Sequence, residues 1–266
     1  MRFYCGVSGG GMSFPNFPEK YQGEPVMRPQ DTIAMRKRFG KFPNIAAPEG
    51  MILCLKNDLP KQHRWRIPIR KVGNIFGEVH LIRASGRRVG VLSNFGIGAP
   101  VTASLTEELI AWGVKRFVLL SWGGALQAQL NVGDIVIPQR AIRDEGVSHH
   151  YLPAEKFIHA DETLTERLKA NLPHATLGAT WTTDAPYRET REEILHYQAD
   201  GIHVVEMEIA ALFALAKVRS VQASAVVVAA DKLANLNWEM PNDLKRINHS
   251  FKMVYRAAIQ TLSGDA

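Results

Sequence analysis

The sequence predicts an α/β domain preceded by an arm, and three observations support this prediction. Short apolar runs rich in β-branched residues alternate with longer helix-forming segments over residues 51–266, which is typical of a sheet covered by helices. Glycine and proline separate the two kinds of segment and favour turns there. Two glutamates, Glu206 and Glu208, stand where a predicted strand meets a predicted helix, and ligands bind at such junctions in open α/β sheets.

Composition narrows the class of protein. The chain has 266 residues, of which 46% are hydrophobic, enough to bury a full core. No apolar run reaches the roughly 20 residues that span a bilayer, and the first apolar run is too short for a secretory signal. We therefore expect a cytoplasmic protein with no membrane partner. Cys5 and Cys54 are the only cysteines, which argues against a disulfide framework or a cysteine-rich metal site.

The basic character of the chain raises the question of nucleic-acid binding. The formal net charge is +6, and the densest basic run is Lys61–Lys71. Phosphate backbones reward clustered lysine and arginine, but no recognised nucleic-acid motif accompanies this run. We interpret it as a solvated face or as a rim that attracts small anions. A basic RNA- or DNA-binding protein stays as the competing class, and steeply salt-dependent oligonucleotide affinity would identify it.

Residues 1–50 form the predicted arm, and residues 51–266 the predicted α/β domain. Six prolines and the run Gly9–Gly11 oppose long regular elements in the arm. Only Asp31–Phe39 has a helical pattern, with Asp31 as the N-cap and Gly40 at the end. Three aromatic residues would anchor the arm on its own domain or on a neighbouring subunit: Phe14, Phe17 and Tyr21.

The first half of the domain begins with a buried strand at Met51–Leu55. Residues 79–84 and 88–93 flank Ser85–Arg87 and predict a hairpin. The glycine-rich stretch Asn94–Pro100 follows, and its glycines would let the backbone approach a ligand closely. Pro100 then opens a helix that runs to Trp112 and stops at Gly113.

The second half repeats the alternation of strands and helices. Phe117–Leu120 is a predicted strand that ends in Ser121–Ala125, and Asn131–Asp134 is a turn into the next strand. The remaining predicted elements are a strand at 135–138, helices at 161–172 and 191–199, a strand at 226–230, and a long amphipathic helix at 243–262. Trp238 and Pro241 lie in the loop before that last helix and are predicted to form a lid.

The pair Glu206 and Glu208 supplies the first candidate site. An ionised carboxylate accepts hydrogen bonds and suits the adjacent hydroxyls of a ribose. The alternative is that a glutamate in a first helical turn only complements the helix dipole, an effect of about 0.3–1 kcal/mol. The apolar neighbours Val204, Val205 and Met207 imply burial, and a buried carboxylate needs partners.

Four stretches taken together carry a family resemblance: GIGAP at 96–100, SWGGAL at 121–126, NVGDIVIP at 131–138 and VVEMEIAAL at 204–212. Over about residues 51 to 262 the chain resembles the nucleoside phosphorylase-I family, which includes uridine phosphorylases, hexameric-type purine nucleoside phosphorylases and methylthioadenosine nucleosidases. The resemblance implies a Rossmann-like three-layer α/β sandwich with a central mixed, partly barrel-like sheet. It also implies cleavage of an N-glycosidic bond, with phosphate or water arriving at the anomeric carbon.

The resemblance assigns binding roles to the residues that match the family motifs. Glu208 matches the glutamate that binds the ribose hydroxyls, and Met207 matches the residue that packs on the sugar. Glu206 matches the preceding acidic position at the base and sugar. Gly123 and Gly124 match the segment that lies along the base.

Three further residues follow from the same resemblance. Asp231, after the apolar run 226–230, matches the aspartate that protonates the leaving base in the purine-cleaving branch, and general-acid transfer suits that step. The alternative role for Asp231 is a helix N-cap or turn residue. Ala230 stands where that branch usually has a serine. Ile97 matches a residue over the ribose, and Tyr187 lies in the base-pocket loop at 181–189 and offers a stacking face.

The predicted phosphate or water site, formed by Ser121, Trp122 and Asp58, departs from the family pattern. Phosphorolytic members carry an arginine after the first strand and another before the glycine turn. Here Lys56–Asp58 and Leu119 occupy those places. Trp122 stands where those enzymes have a small hydroxyl residue, and an indole does not replace a hydroxyl at a phosphate oxygen.

The sequence therefore leaves three outcomes for a purine-type nucleoside. Phosphorolysis comes first by resemblance, with arginines of this chain or of a neighbouring subunit rebuilding the anion site: Arg28, Arg36, Arg38 or Arg66. Hydrolysis is the alternative, because Asp58 lies near the acidic residue that activates water in the nucleosidase branch, although Val227 stands in place of that branch's arginine. The third outcome is a nucleoside-binding protein with little catalysis.

The expected partners and cofactors follow from the same resemblance. A small-molecule nucleoside is the expected ligand, and neither nucleic acid nor membrane is expected. No metal or organic cofactor is implied, and inorganic phosphate enters as the co-substrate of phosphorolysis. The family also implies a homo-oligomer whose active-site loops lie near subunit interfaces.

Overall fold

The computed structural model describes residues 15–17, 19–83 and 88–264 and has a ten-stranded mixed sheet at its centre. Its strands are β1 Gly50–Cys54, β2 Ile69–Asn74, β3 Glu78–Ile82, β4 Val89–Ser93, β5 Arg116–Ala125, β6 Ile135–Asp144, β7 Phe157–His159, β8 Thr176–Thr183, β9 Val204–Glu206 and β10 Gln222–Lys232. Its helices are α1 Pro29–Arg38, α2 Leu59–Gln62, α3 Ala99–Trp112, α4 Glu162–Asn171, α5 Arg191–Ala199, α6 Ile209–Arg219 and α7 Lys245–Ser263. The predicted α/β class is confirmed.

The sheet is partly closed. Its strands pair in the order β10, β6, β8, β9, β5, β1, β4, β3, β2, with β7 added to β6, and β5 also pairs with β10. That additional pairing closes β5, β9, β8, β6 and β10 into a ring, while β1, β4, β3 and β2 leave it as an open sheet. The partly barrel-like sheet implied by the family resemblance is therefore confirmed.

Helices cover the sheet on two sides. One core cluster joins α3 and α6 to the sheet and includes Leu109 and Phe213. The other joins α4 and α7 to the opposite side and includes Leu168 and Phe251. Because both clusters consist of buried apolar side chains, the sheet is the middle layer of a three-layer sandwich.

Parallel pairing brings several strand ends to one edge. β1 is parallel to β4 and to β5, and β5 is parallel to β10. The carboxyl ends of these four strands therefore lie together. Lys56 and Asn94 follow β1 and β4, and Trp122 and Asp231 lie in the last part of β5 and β10. This is the edge at which ligands bind in open α/β sheets.

The arm is partly folded onto the domain. Helix α1 begins at Pro29, two residues earlier than predicted, because Pro29 suits the first helical position and Asp31 instead accepts from the Arg28 amide at 3.1 Å. The predicted stop at Gly40 is confirmed, with φ of 64°. Phe17 and Tyr21 are exposed and do not anchor the arm on its own domain, whereas Ile33 and Phe42 are buried there; anchoring on a neighbouring subunit stays a prediction. The boundary at residue 50 stays a prediction.

Several predictions need adjustment. The hairpin pairing of β3 with β4 is confirmed, but its turn, Ser85–Arg87, lies outside the described residues, as do Cys5, Gly9–Gly11 and Phe14. The basic run Lys61–Lys71 contains the end of α2 and the start of β2, elements that its charge pattern did not indicate.

Among the described helices none is long and apolar enough to cross a membrane.

Candidate active site

The two glutamates lie at the junction of β9 and α6, where the sequence placed them. Strand β9 ends at Glu206, and α6 begins at Ile209 with Glu208 as its N-cap. Both carboxyl groups are buried. Because a buried carboxylate needs hydrogen-bond donors, the partners of each oxygen define what each residue does.

Glu206 is held entirely by the protein. Its Oε1 accepts from the hydroxyls of Thr180 and Thr182 at 3.1 and 2.5 Å, and its Oε2 accepts from the amides of Glu208 and Ile209, both at 2.7 Å. Burial and then the charge of Glu208 raise the pKa of Glu206, while the hydrogen bonds from Thr182, Glu208 and Ile209 oppose the rise. Glu206 thus fixes the first turn of α6, and its predicted contact with substrate stays a prediction.

Thr182 links strand β8 to helix α6. Its hydroxyl donates to Glu206 and accepts from the Ala210 amide at 3.0 Å, and its side chain is buried. We expect Thr182→Val to lower the free energy of unfolding by about 2 kcal/mol, because a buried carboxylate and a buried amide each lose a partner. Urea unfolding measures this change. Thr176→Val, at the exposed start of the same strand, is the control, and an equal loss in both variants would contradict the assignment.

Glu208 connects α6 to the glycine-rich turn after β4. Its Oε1 accepts from the Gly98 amide at 2.6 Å, and its Oε2 accepts from the Met207 amide at 3.3 Å. The hydroxyl of Ser121 lies within hydrogen-bonding reach of Glu208 and of the Trp122 carbonyl oxygen. Burial raises the pKa of Glu208, and these three donors lower it. Ser121 has a single proton, and when it donates to the Trp122 carbonyl oxygen each Glu208 oxygen keeps a lone pair for a ligand hydroxyl.

Gly123 and Gly124 belong to β5, which is longer than predicted and continues through Ala125. A Cβ on Gly123 would collide with the carbonyl oxygen of Val205, and one on Gly124 would lie 2.9 Å from Oδ1 of Asp231. These glycines are therefore required by the close approach of β9 and of the Asp231 carboxyl group.

Asp231 stands at a bulge near the end of β10. Its Oδ2 accepts from the indole Nε1 of Trp238 at 3.1 Å. Burial raises the pKa of Asp231, and the Trp238 hydrogen bond lowers it. Glu189 lies near enough for its own pKa to rise to about 7, through burial and then the charge of Asp231. A carboxyl group whose pKa is raised keeps its proton to a higher pH, which suits a general acid.

The predicted phosphate or water site contains a lysine against an indole. Lys56 Nζ lies 2.9 Å from Asp58 Oδ1 and 6.0 Å from the ring centroid of Trp122. The Trp122 ring meets Phe251 edge to face at a centroid distance of 6.2 Å and is 42% exposed. Arg36 instead pairs with Glu108 at 3.3 Å, so it is not free to rebuild an anion site.

The other predicted residues lie at the rim. Met207 is half-buried, Ile97 is exposed on the connection from β4 to α3, and the side chain of Tyr187 is fully exposed. The stacking role of Tyr187 stays a prediction. Ser121 and Gly124 are three residues apart on β5, about 10 Å. Ser121 lies near Glu208, and Gly124 lies near Asp231. The two carboxyl groups therefore lie beside neighbouring parts of β5.

Sequence reasoning missed the two threonines on Glu206. It placed Trp181–Thr183 in the base-pocket loop, but these residues end β8, and the loop begins at Asp184. Thr180 and Thr182 alternate along the strand, so both hydroxyls face the same side. That spacing was the available signal. The contact of Lys56 with Trp122 and the position of Glu189 gave no sequence signal.

Comparison with known proteins identifies the family. A family model described as the phosphorylase superfamily matches residues 56–260, well over half of the chain. The chain belongs to the phosphorylase superfamily. The predicted resemblance is confirmed, and the chain is an enzyme of the nucleoside phosphorylase kind, whose members cleave N-glycosidic bonds.

Two phosphorylases are similar to this chain in sequence, and one solved phosphorylase structure is similar to it in fold. Guanosine phosphorylase of Halorubrum lacusprofundi is 34% identical over 161 residues, covering 56% of this chain and 67% of the relative. Uridine phosphorylase of Haemophilus influenzae is 29% identical over 192 residues, covering 65% and 75%. A crystal structure of uridine phosphorylase from Vibrio fischeri ES114 has the same fold, with a TM-score of 0.68, 22% identity, and coverage of 82% and 91%.

Proposed function

We propose that this enzyme cleaves a purine-type nucleoside by phosphorolysis. The observation that carries the proposal is the carboxyl group of Asp231, which lies against Gly124 with a raised pKa. A leaving purine accumulates negative charge, and a positioned carboxylic acid neutralises it by proton transfer. The guanosine phosphorylase among the relatives supports a purine, while the uridine phosphorylases make a pyrimidine the competing substrate.

Glu208 is the proposed ribose-binding residue. Its carboxylate is fixed by the amides of Gly98 and Met207, and its remaining lone pairs are acceptors for two adjacent hydroxyls. Negative charge beside the sugar also favours an oxocarbenium-like transition state. Because the donors that fix Glu208 are backbone groups, its orientation is set before the substrate arrives.

The proposed reaction is a displacement at the anomeric carbon. The bond from that carbon to the base nitrogen breaks, and its electron pair leaves with the base. The proton of the Asp231 carboxyl group passes to the base, and a phosphate oxygen forms the new bond to the anomeric carbon. The products are a free base and a sugar 1-phosphate, and Asp231 regains a proton from solvent.

Hydrolysis is the second candidate, and the surroundings of Trp122 favour it. The indole is bulky where a phosphate would lie, and Lys56 is already paired with Asp58. In that reaction Asp58 would accept the proton of an attacking water, and the sugar would be released unphosphorylated. Phosphorolysis requires that phosphate displace Asp58 from Lys56.

Product analysis with and without phosphate tests the proposal. We expect guanosine, inosine or adenosine to release base faster than uridine, and only when phosphate is present, with a sugar 1-phosphate as the second product. Release of free sugar without phosphate would establish hydrolysis. Faster cleavage of uridine would overturn the purine assignment, and no release from any of these nucleosides would overturn nucleoside cleavage itself.

Trp122→Thr provides a further prediction. The substitution removes the bulk of the indole and adds a hydroxyl donor, so we expect the KM for phosphate to fall about tenfold, the effect of one added hydrogen bond to an anion. Initial rates against phosphate concentration measure it. Trp65→Phe, at a highly exposed tryptophan on the segment after α2, is the matched control. An unchanged or higher KM for phosphate in Trp122→Thr would show that Trp122 does not obstruct this site.

A further inference from the structure

Trp238 contacts the carboxyl group of Asp231 from the segment that follows β10. Its Nε1 donates to Oδ2 at 3.1 Å, although the side chain is 68% exposed. Core packing therefore does not hold this indole in place, since most of its apolar surface stays in water. The hydrogen bond to Asp231 and the backbone that carries Trp238 are what locate the ring.

The backbone around Trp238 forms a closed loop. Lys232 and Glu239 exchange two backbone hydrogen bonds, of 3.0 and 2.9 Å, and the side-chain amide of Asn235 donates to Oε1 of Glu239 at 2.8 Å. Because the loop closes between residues 232 and 239, Trp238 returns to the side of Asp231.

The same loop is attached to the sheet and to a helix. The Leu233 amide donates to the Ala125 carbonyl oxygen of β5 at 2.9 Å. The side-chain amide of Gln198, in α5, donates to the Ala234 carbonyl oxygen at 2.9 Å. These two anchors fix the loop relative to β5, the strand against which Asp231 lies. Trp238 is thus presented to Asp231 by a braced loop.

The two oxygens of Asp231 have different surroundings. Oδ2 accepts the indole hydrogen bond, whereas Oδ1 faces the bare backbone of Gly124. Ala230 precedes Asp231 and has no hydroxyl with which to orient it. In a protonated carboxyl group the oxygen that accepts an N–H bond is the carbonyl oxygen, so the acidic proton belongs on the other one.

We propose that Trp238 is a positioning residue for Asp231: its N–H group binds Oδ2, and Oδ1 is thereby the oxygen that carries the proton to the leaving base. This inference rests on the proposed function, in which Asp231 is the general acid. The indole replaces an orienting hydroxyl at residue 230. It acts through Asp231 and does not itself exchange a proton with the substrate.

Trp238→Phe tests the proposal in the intact enzyme. We expect kcat for purine nucleosides to fall about tenfold with little change in KM, because an unpositioned acid transfers its proton less efficiently. The N–H donor stabilises the ionised carboxylate, so its removal raises the pKa of Asp231, and the alkaline limb of the kcat profile shifts upward by about 0.5–1 pH unit. Glu189 also faces Asp231 and is unchanged. Trp65→Phe is the control and should match the parent.

A readout without substrate separates this inference from the proposed function. Fluorescence of the parent against pH should show a step as Asp231 titrates beside the indole, and the step should vanish in Trp238→Phe and in Asp231→Asn but persist in Trp65→Phe. If the step is present and no nucleoside is cleaved, the contact stands and the proposed function fails. No step in the parent, or an unchanged kcat and pH profile in Trp238→Phe, would overturn the positioning role.

Discussion

Asp231→Asn is expected to lower kcat for purine nucleosides by about 10²–10⁴-fold, the usual contribution of a general acid. Asparagine keeps the size of the side chain and the carbonyl oxygen that accepts from Trp238 at 3.1 Å, but it has no acidic proton. The loss should therefore appear in kcat, while the KM for the nucleoside changes little. Steady-state kinetics with guanosine and inosine measure it.

The leaving group provides the control for Asp231. A riboside whose leaving group is a stable anion, such as p-nitrophenolate, needs no proton, so Asp231→Asn should cleave it nearly as fast as the parent. A retained rate also shows that the variant is folded. Equal losses for both kinds of substrate would assign Asp231 to binding or stability and would remove it from proton transfer.

The fold was predictable where the end of an element depends on residues close to it in the sequence. Gly40 and Gly113 end their helices as expected, with φ of 64° and 130°, because glycine tolerates these backbone angles. The predicted strand stopped at Leu120, before Gly123 and Gly124, because glycine favours turns, whereas β5 continues through both to Ala125. Their role depends on Val205 and Asp231, which approach from β9 and β10. Glycine at a close approach and glycine at a turn are indistinguishable without the neighbouring strands.

The candidate site was predictable only for residues that follow strands. Glu208 and Asp231 could be found because buried strands end beside them, and ligands bind at such ends. The partners of these residues could not. Thr182 reaches Glu206 across the pairing of β8 with β9, and Gly98 reaches Glu208 across the fold. Strand order is set by the complete core, so sequence spacing alone does not reveal which donor meets which carboxylate.

Glu206 and Glu208 differ in how many protein donors they accept from, which suits the separate roles proposed for them. The two oxygens of Glu206 accept hydrogen bonds from four protein donors, which stabilises the N-terminus of α6. Glu208 receives fewer donors and keeps acceptor capacity. In the proposed function the first carboxylate fixes the position at which the second one would bind a sugar, and such support by neighbouring residues is typical of preorganised sites.

Glu208→Gln is expected to lower kcat/KM by about 10²–10³-fold, comparable to removal of one preorganised electrostatic group from an active site. Glutamine preserves the shape but removes the negative charge beside the sugar. Its NH₂ group also brings a donor toward either Gly98 or Met207, whose amides are donors as well. The loss should exceed that in Glu192→Gln, at an exposed position in the first turn of α5.

Deoxynucleosides show whether Glu208 acts on the ribose hydroxyls. The parent should cleave guanosine much faster than its 2′-deoxy and 3′-deoxy counterparts, because the carboxylate loses a donor with each missing hydroxyl. In Glu208→Gln that preference should largely disappear, since the acceptor responsible for it is gone. If the variant keeps the full preference of the parent, another residue reads the hydroxyls, and Glu208 serves only to join the Gly98 turn to helix α6. The ratio of kcat/KM values for the ribo and deoxy substrates decides between these roles.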